Sequence, residues 1–176
     1  MSKRFMLTAT GVAAAAVGGN AAAELISFEV HNDYYISENS WQLLDGSSNV
    51  IASMYISAGN IFVGTSQSSS YAVNFGLWDS NASSPLSSGY RTTFQMDLPA
   101  GTYTVAMQDS WGDGWIWNSV SGSDAFNVAG NLASGSSVTF AMQSTTSVTG
   151  TFTVVPAPGA LALLGLAGVA GRRKRA

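Results

Sequence analysis

The chain has 176 residues, ten of them acidic and seven basic, and no cysteine. That length allows one domain with tails, and the missing cysteine excludes a disulfide framework, a thiol nucleophile and a zinc-thiolate site. Six basic residues lie at the two ends, so the span from Glu24 to Val155 sets one arginine, Arg91, against ten carboxylates, a formal charge of −9. Such a span lacks the basic stripe that nucleic-acid binding requires; it suits a protein that holds cations or stays soluble by self-repulsion.

Residues 1–23 read as a secretory signal peptide. Lys3 and Arg4 form a positive start, Phe5 to Gly19 is apolar and small, and Ala21 and Ala23 supply the small residues of a signal-peptidase site. The apolar run is shorter than the roughly 20 residues of a membrane span. Cleavage after Ala23 would start the mature domain at Glu24, giving a signal segment 1–23, a domain 24–155 and a tail 156–176.

The domain has the two-residue period of strands. Ile26, Phe28 and Val30 alternate with polar neighbours, and residues 40–45 and 49–56 read as strands around a Gly46-Ser47-Ser48 turn. Residues 57–89 carry a weaker pattern: Val73, Phe75 and Leu77 alternate as in a strand, and 66–70 and 81–88 read as loops. Phe94, Met96 and Leu98, then Pro99-Ala100-Gly101, then Tyr103, Val105 and Met107 predict an antiparallel hairpin closed by a proline-glycine turn. Further strands are expected at 115–120, 125–128, 136–142 and 148–155. The absence of any sustained 3.6-residue period points to an all-β fold, an antiparallel β-sandwich of jelly-roll-like type. A signal helix and a short C-terminal hydrophobic helix are expected to flank it.

Prolines 156 and 158 end the last predicted strand. Residues 159–171 are then apolar and end in Arg172-Arg173-Lys174-Arg175. Thirteen residues of helix reach about 20 Å, short of a hydrocarbon core of roughly 30 Å, and the basic cluster favours the cytoplasmic side. The plain alternative is a hydrophobic helix docked on the domain or spanning as a transmembrane tail anchor. This tail resembles the PEP-CTERM sorting tails of exported bacterial proteins, with Pro156-Ala157-Pro158 standing where that class has Pro-Glu-Pro. The resemblance implies export, transient inner-membrane association, processing by an exosortase-type peptidase near Pro156 to Pro158, and a final place in the outer envelope, at the cell surface or in an exopolysaccharide matrix.

The densest chemistry lies at Asp109-Ser-Trp-Gly-Asp-Gly-Trp115. Asp109, Asp113 and Gly114 fill the first, fifth and sixth places of a calcium-loop pattern, because hard cations take several oxygens around a tight turn. Trp111 at the third place and the lack of a closing glutamate exclude an EF-hand. A calcium site here would need partners, for which Asp33, Glu38 and Asp124 are the candidates. The plain alternative makes Asp109 and Asp113 Asx-turn residues and the two glycines positive-φ positions. The stretch, with Leu98-Pro-Ala-Gly-Thr-Tyr-Thr104 and Glu38-Asn-Ser-Trp-Gln-Leu-Leu-Asp45, also resembles a motif set recurrent in secreted bacterial β-domains. That class carries no agreed activity.

Trp111, Trp115 and Trp117 are candidates for a platform against sugar rings if exposed, and core residues if buried. His31, the single histidine, reads as a solvated residue of a polar loop with no nucleophile elbow to serve, and a carboxylate pair acting on a glycoside is the one enzymatic arrangement the acids allow. The expectation is a secreted, non-enzymatic β-domain of the cell surface or extracellular matrix. A calcium-stabilised carbohydrate-binding module acting on exopolysaccharide is its alternative.

Overall fold

The computed structural model describes residues 23–79, 81, 84, 89–116 and 125–156. Within them lie ten strands: β1 Glu24–Asn32, β2 Asn39–Leu44, β3 Val50–Ser57, β4 Asn60–Thr65, β5 Asn74–Leu77, β6 Tyr90–Leu98, β7 Gly101–Asp109, β8 Ala125–Leu132, β9 Gly135–Ala141 and β10 Ser147–Val154. One 3-10 turn, Ile36–Glu38, precedes β2. The fold is all-β and antiparallel. The ladder runs β4-β3-β2-β7-β10-β8-β1-β6-β5, with β9 on β8.

The alternation in the sequence becomes two faces. Ile26, Phe28 and Val30 of β1, Phe94, Met96 and Leu98 of β6, and Tyr103, Val105 and Met107 of β7 are buried, as period-two strands with one dry face require. The sheet curls until strands far apart in the ladder meet. Trp41 of β2 stacks on Phe94 of β6 at 5.6 Å and meets Phe126 of β8 edge-on at 5.3 Å. Phe28 stacks on Phe94 at 4.6 Å and meets Phe152 of β10 edge-on at 6.2 Å. The result is a nearly closed, barrel-like wrap around an aromatic core. The ladder is narrowest at its middle, where β10 and β8 pair through Val154 and Leu132 alone.

Two expectations need correction, and one strand is added. The strands flanking Pro99 do not pair: β6 lies between β1 and β5, and β7 between β2 and β10. The turn, held by the Tyr103 hydroxyl donating to the Pro99 carbonyl at 2.8 Å, carries the chain across the core. Alternation shows that both strands bury one face, which an arch satisfies as well as a hairpin. Residues 60–65, to which the sequence reading assigns no element, form β4, paired with β3 from Ala52↔Thr65 to Ser57↔Asn60. The strand expected from residue 115 does not begin there: Trp115 sits in the loop after an isolated Gly114↔Gln143 bridge, and 117–120 lie outside the described residues. So do the signal segment apart from Ala23, and the tail beyond Pro156, with both expected flanking helices. Among the described residues no helix is long and apolar enough to cross a membrane.

Candidate cation site

Register brings the acidic residues together. β2 and β7 pair with Asn39 opposite Asp109, so Glu38, one residue before Asn39, falls beside the loop that leaves β7. The Ser110 N–H donates to the Glu38 carbonyl at 3.0 Å and fixes that approach. Two sequence stretches some seventy residues apart thus form one corner.

The loop is built on the Asp109 side chain, which is buried. Its Oδ1 accepts the N–H groups of Trp111 at 2.8 Å and Gly112 at 3.0 Å, and its Oδ2 accepts that of Gly114 at 2.6 Å. Gly112 and Gly114 have φ of +87° and +88°, a region L side chains rarely enter. At Gly114 a Cβ would lie 2.6 Å from both the Met142 carbonyl oxygen and the Ser144 nitrogen. The Asx-turn reading of Asp109 therefore matches the geometry.

A cation site remains compatible with that role. Oxygens of Glu38, Asp109 and Asp113 all lie within 4.8 Å of one another. Two ligands of one calcium ion, each at 2.3–2.6 Å, sit at most about 5 Å apart, so the three carboxylates fit a single ion. Asp109 has about four lone-pair positions, of which the loop N–H groups take three. It could offer one oxygen position, while the half-buried Glu38 and exposed Asp113 supply the rest. Burial first, then the charges of Asp109 and Asp113, raises the Glu38 carboxyl above its ordinary value.

Asp33 is adjacent but stands outside that group of three. It is buried, and its Oδ1 accepts the Asn39 Nδ2–H at 2.7 Å. Burial pushes its carboxyl up to about 6. The Asn39 hydrogen bond opposes that rise, and the charges of Asp109, Glu38 and Asp113 add to it. Asp124 lies outside the described residues.

The tryptophans divide. Trp111 is 78% exposed and, with Tyr35, Glu38 and Asp113, lines a cleft of about 270 Å³. Trp115 is 0% exposed and belongs to the core; its Nε1–H donates to the Gln108 carbonyl at 3.2 Å and its backbone N–H to that of Met142 at 3.0 Å. Of the two readings open to Trp115, the structure takes the core one, and Trp115 has no part in a platform. Trp115 follows the positive-φ reversal at Gly114 and is buried there. Trp117 lies outside the described residues.

His31, expected in a solvated loop, is buried at the end of β1, its ring stacked on Trp78 at 3.7 Å. Sequence reasoning missed Tyr35, whose place opposite Trp111 depends on the β2–β7 register and left no signal in the chain. Asp45, at the end of the Glu38–Asp45 stretch, is a turn former: it accepts the N–H groups of Ser47 and Asn49 and the Asn49 side-chain amide.

The chain matches no protein-family model, no curated protein and no solved structure.

Proposed function

We propose that this chain is an exported, envelope-sorted, non-enzymatic β-domain of the cell surface or extracellular matrix, whose Glu38–Asp109–Asp113 corner takes a calcium ion. The observation that carries the cation is the approach of three carboxylates to within 4.8 Å in a domain whose one arginine is already beside Glu29 at 4.0 Å. A bound divalent ion would offset that repulsion and tie the β7 exit loop to the 3-10 turn before β2. Export and sorting rest on the two ends: the signal-like residues 1–23, and the tail from Pro156-Ala157-Pro158 to Arg172–Arg175. Signal peptidase and an exosortase-type peptidase would be the processing partners. The non-enzymatic reading is supported by Asp109, whose oxygens are committed to three backbone N–H groups and are poorly placed to act as nucleophile or base.

Within this reading the curled sheet is best described as a jelly-roll-like β-sandwich. β4-β3-β2-β7-β10 would form one layer and β9-β8-β1-β6-β5 the other, because the single Val154–Leu132 pair is all the ladder shared between them and the rings of β2 pack on those of β6 and β8.

A second reading, a calcium-stabilised carbohydrate-binding module, is favoured by one feature. The exposed Trp111 lines one cleft with Tyr35 and with two of the three carboxylates, Glu38 and Asp113. A sugar could stack there while its hydroxyls meet the ion.

The test is a thermal melt of the full chain in EDTA and then in calcium. An ion at a hundredfold over its dissociation constant adds about 2.7 kcal/mol when it binds only the folded state. The expected result is an upward shift with calcium that Asp113→Ala removes while leaving the EDTA melt in place. No shift, or one that survives Asp113→Ala, would end the cation reading.

A further inference from the structure

The outward half of the same alternation builds a second feature, which shares no residue with the acidic corner. Ladder partners point to the same face of a sheet. Glu29 of β1 pairs with Asn127 of β8 on one side and with Thr93 of β6 on the other, and Thr93 pairs in turn with Asn74 of β5. Four hydrogen-bonding side chains from four adjacent strands therefore lie in one row, about 4.8 Å from strand to strand. Next to this row Ser27 pairs with Gln95, whose Nε2–H donates to the Ser27 hydroxyl at 3.1 Å. Asn127 is oriented from its far side by the Thr139 hydroxyl, which donates to its Oδ1 at 2.7 Å.

The segment between β4 and β5 walls this floor. The Tyr71 hydroxyl donates to Asp97 Oδ2 at 2.6 Å. Gln67 clasps the Asp97 backbone twice, its Nε2–H donating to the carbonyl and its Oε1 accepting the N–H, both at 2.8 Å. These bonds fix the Tyr71 ring along the edge of a groove of about 610 Å³, within the size range of sites for small ligands.

We propose that this groove binds a neutral oligosaccharide. The floor offers hydroxyls and carboxamides, which both donate and accept, as sugar hydroxyls do. Among the described residues its only charged lining residue is Glu29, which lies 4.0 Å from the Arg91 guanidinium, so the floor carries little net field. An anionic polymer would meet a domain of formal charge −9 and be repelled. A fully apolar ligand would leave the amide and hydroxyl groups of the floor without partners. The pinned Tyr71 ring, beside Ala72 and Ala129, supplies an apolar face of the kind that the flat side of a sugar ring uses.

The experiment presents the full chain to an array of neutral hexose and N-acetylhexosamine oligomers, with uronic-acid oligomers as the anionic comparison, and measures affinities for any binder by calorimetry. The expected result is binding to a neutral oligomer, unchanged by EDTA and by Trp111→Ala. It weakens at least tenfold in Tyr71→Ala and in Asn127→Ala, each checked for a wild-type melt. Tyr71→Phe keeps the ring and retains most of the affinity. If Tyr71→Ala fails to fold, Asn127→Ala and Gln95→Ala decide. The proposal is overturned by an array with no neutral binder, by preference for the uronic acids, or by wild-type affinity in the folded groove variants. Loss confined to Trp111→Ala or to EDTA would overturn it too, and would place the sugar at the acidic corner.

Discussion

Asp33 is buried near three other carboxylates, and its charge is harder to hold in the folded chain than in the unfolded one. Its carboxyl rises from 3.8 to about 6, so the folded state binds that proton more tightly. The linked stabilisation is complete below about pH 3.8, fades as pH rises through about 6, and amounts to about 3 kcal/mol lost by pH 7. Glu38, raised for a similar reason, acts in the same direction. Urea unfolding in EDTA should therefore show stability from these groups falling between about pH 4 and 7. Asp33→Asn, neutral throughout, should flatten that fall; a variant with the wild-type profile would remove Asp33 as its source. At this scale the sequence was readable where chemistry is local. Asp109 and Asp113 stand out by spacing, and the Asx turn follows from an aspartate two residues before a backbone N–H it can reach. Trp115 was not readable, since whether a ring after a glycine reversal points in or out depends on what packs on the loop.

Elements were more legible as strands than as partners: the Gly46–Ser48 turn does join paired strands, β2 and β3, while the Pro99 turn does not. The predicted 40–45 and 49–56 became Asn39–Leu44 and Val50–Ser57, one residue away at most, because alternation marks a strand wherever one face is dry. It does not say which strand lies alongside. The proline-glycine turn at Pro99 was taken for a hairpin and proved an arch. The two-residue hairpin at Ala58-Gly59 went unseen, because the outer strand β4 buries little and its pattern is correspondingly faint. There Ser57 pairs with Asn60, and both central residues have positive φ, Ala58 at 49° and Gly59 at 75°. That is the geometry in which asparagine followed by glycine is preferred, and an alanine in it carries a steric cost of about 1–2 kcal/mol. Ala58→Asn should relieve part of this and stabilise the domain by about 0.5–1 kcal/mol, read as a higher urea midpoint at unchanged slope. A lower midpoint would mean that the turn does not hold this conformation in solution.

For the whole molecule, the joining of the two halves of the ladder depends on very few residues. β10 pairs with β7 along eight residues but with β8 at Val154↔Leu132 alone. Just beyond, the Val155 N–H donates to the Asn131 carbonyl at 3.0 Å, the Asn131 Nδ2–H returns to the Val155 carbonyl at 2.9 Å, and the Ala133 N–H reaches the Thr153 carbonyl at 2.9 Å. The fold is thus latched at Val155, one residue before Pro156, where sequence reasoning placed the boundary between domain and tail. The composition shift marked that boundary, but nothing local showed that the residue before it joins the two halves of the ladder, since the partner, Asn131, lies more than twenty positions away. Two truncations separate the roles. A chain ending after Pro156 keeps the latch and should melt within about 2 °C of the full chain, as a change well under 1 kcal/mol does for a domain of this size. A chain ending at Thr151 loses the buried Phe152 and Val154 together with the latch. Two buried apolar side chains are worth about 3–6 kcal/mol, which reaches the lower range of a domain's entire stability of about 5–15 kcal/mol. It should show no cooperative melt and rapid cleavage by protease. If it melted like the full chain, this junction would be dispensable and the sheet would hold through the packing of its aromatic core alone. If the chain ending at Pro156 failed as well, residues of the tail would belong to the fold, and processing near Pro156 to Pro158 would cost the domain its structure.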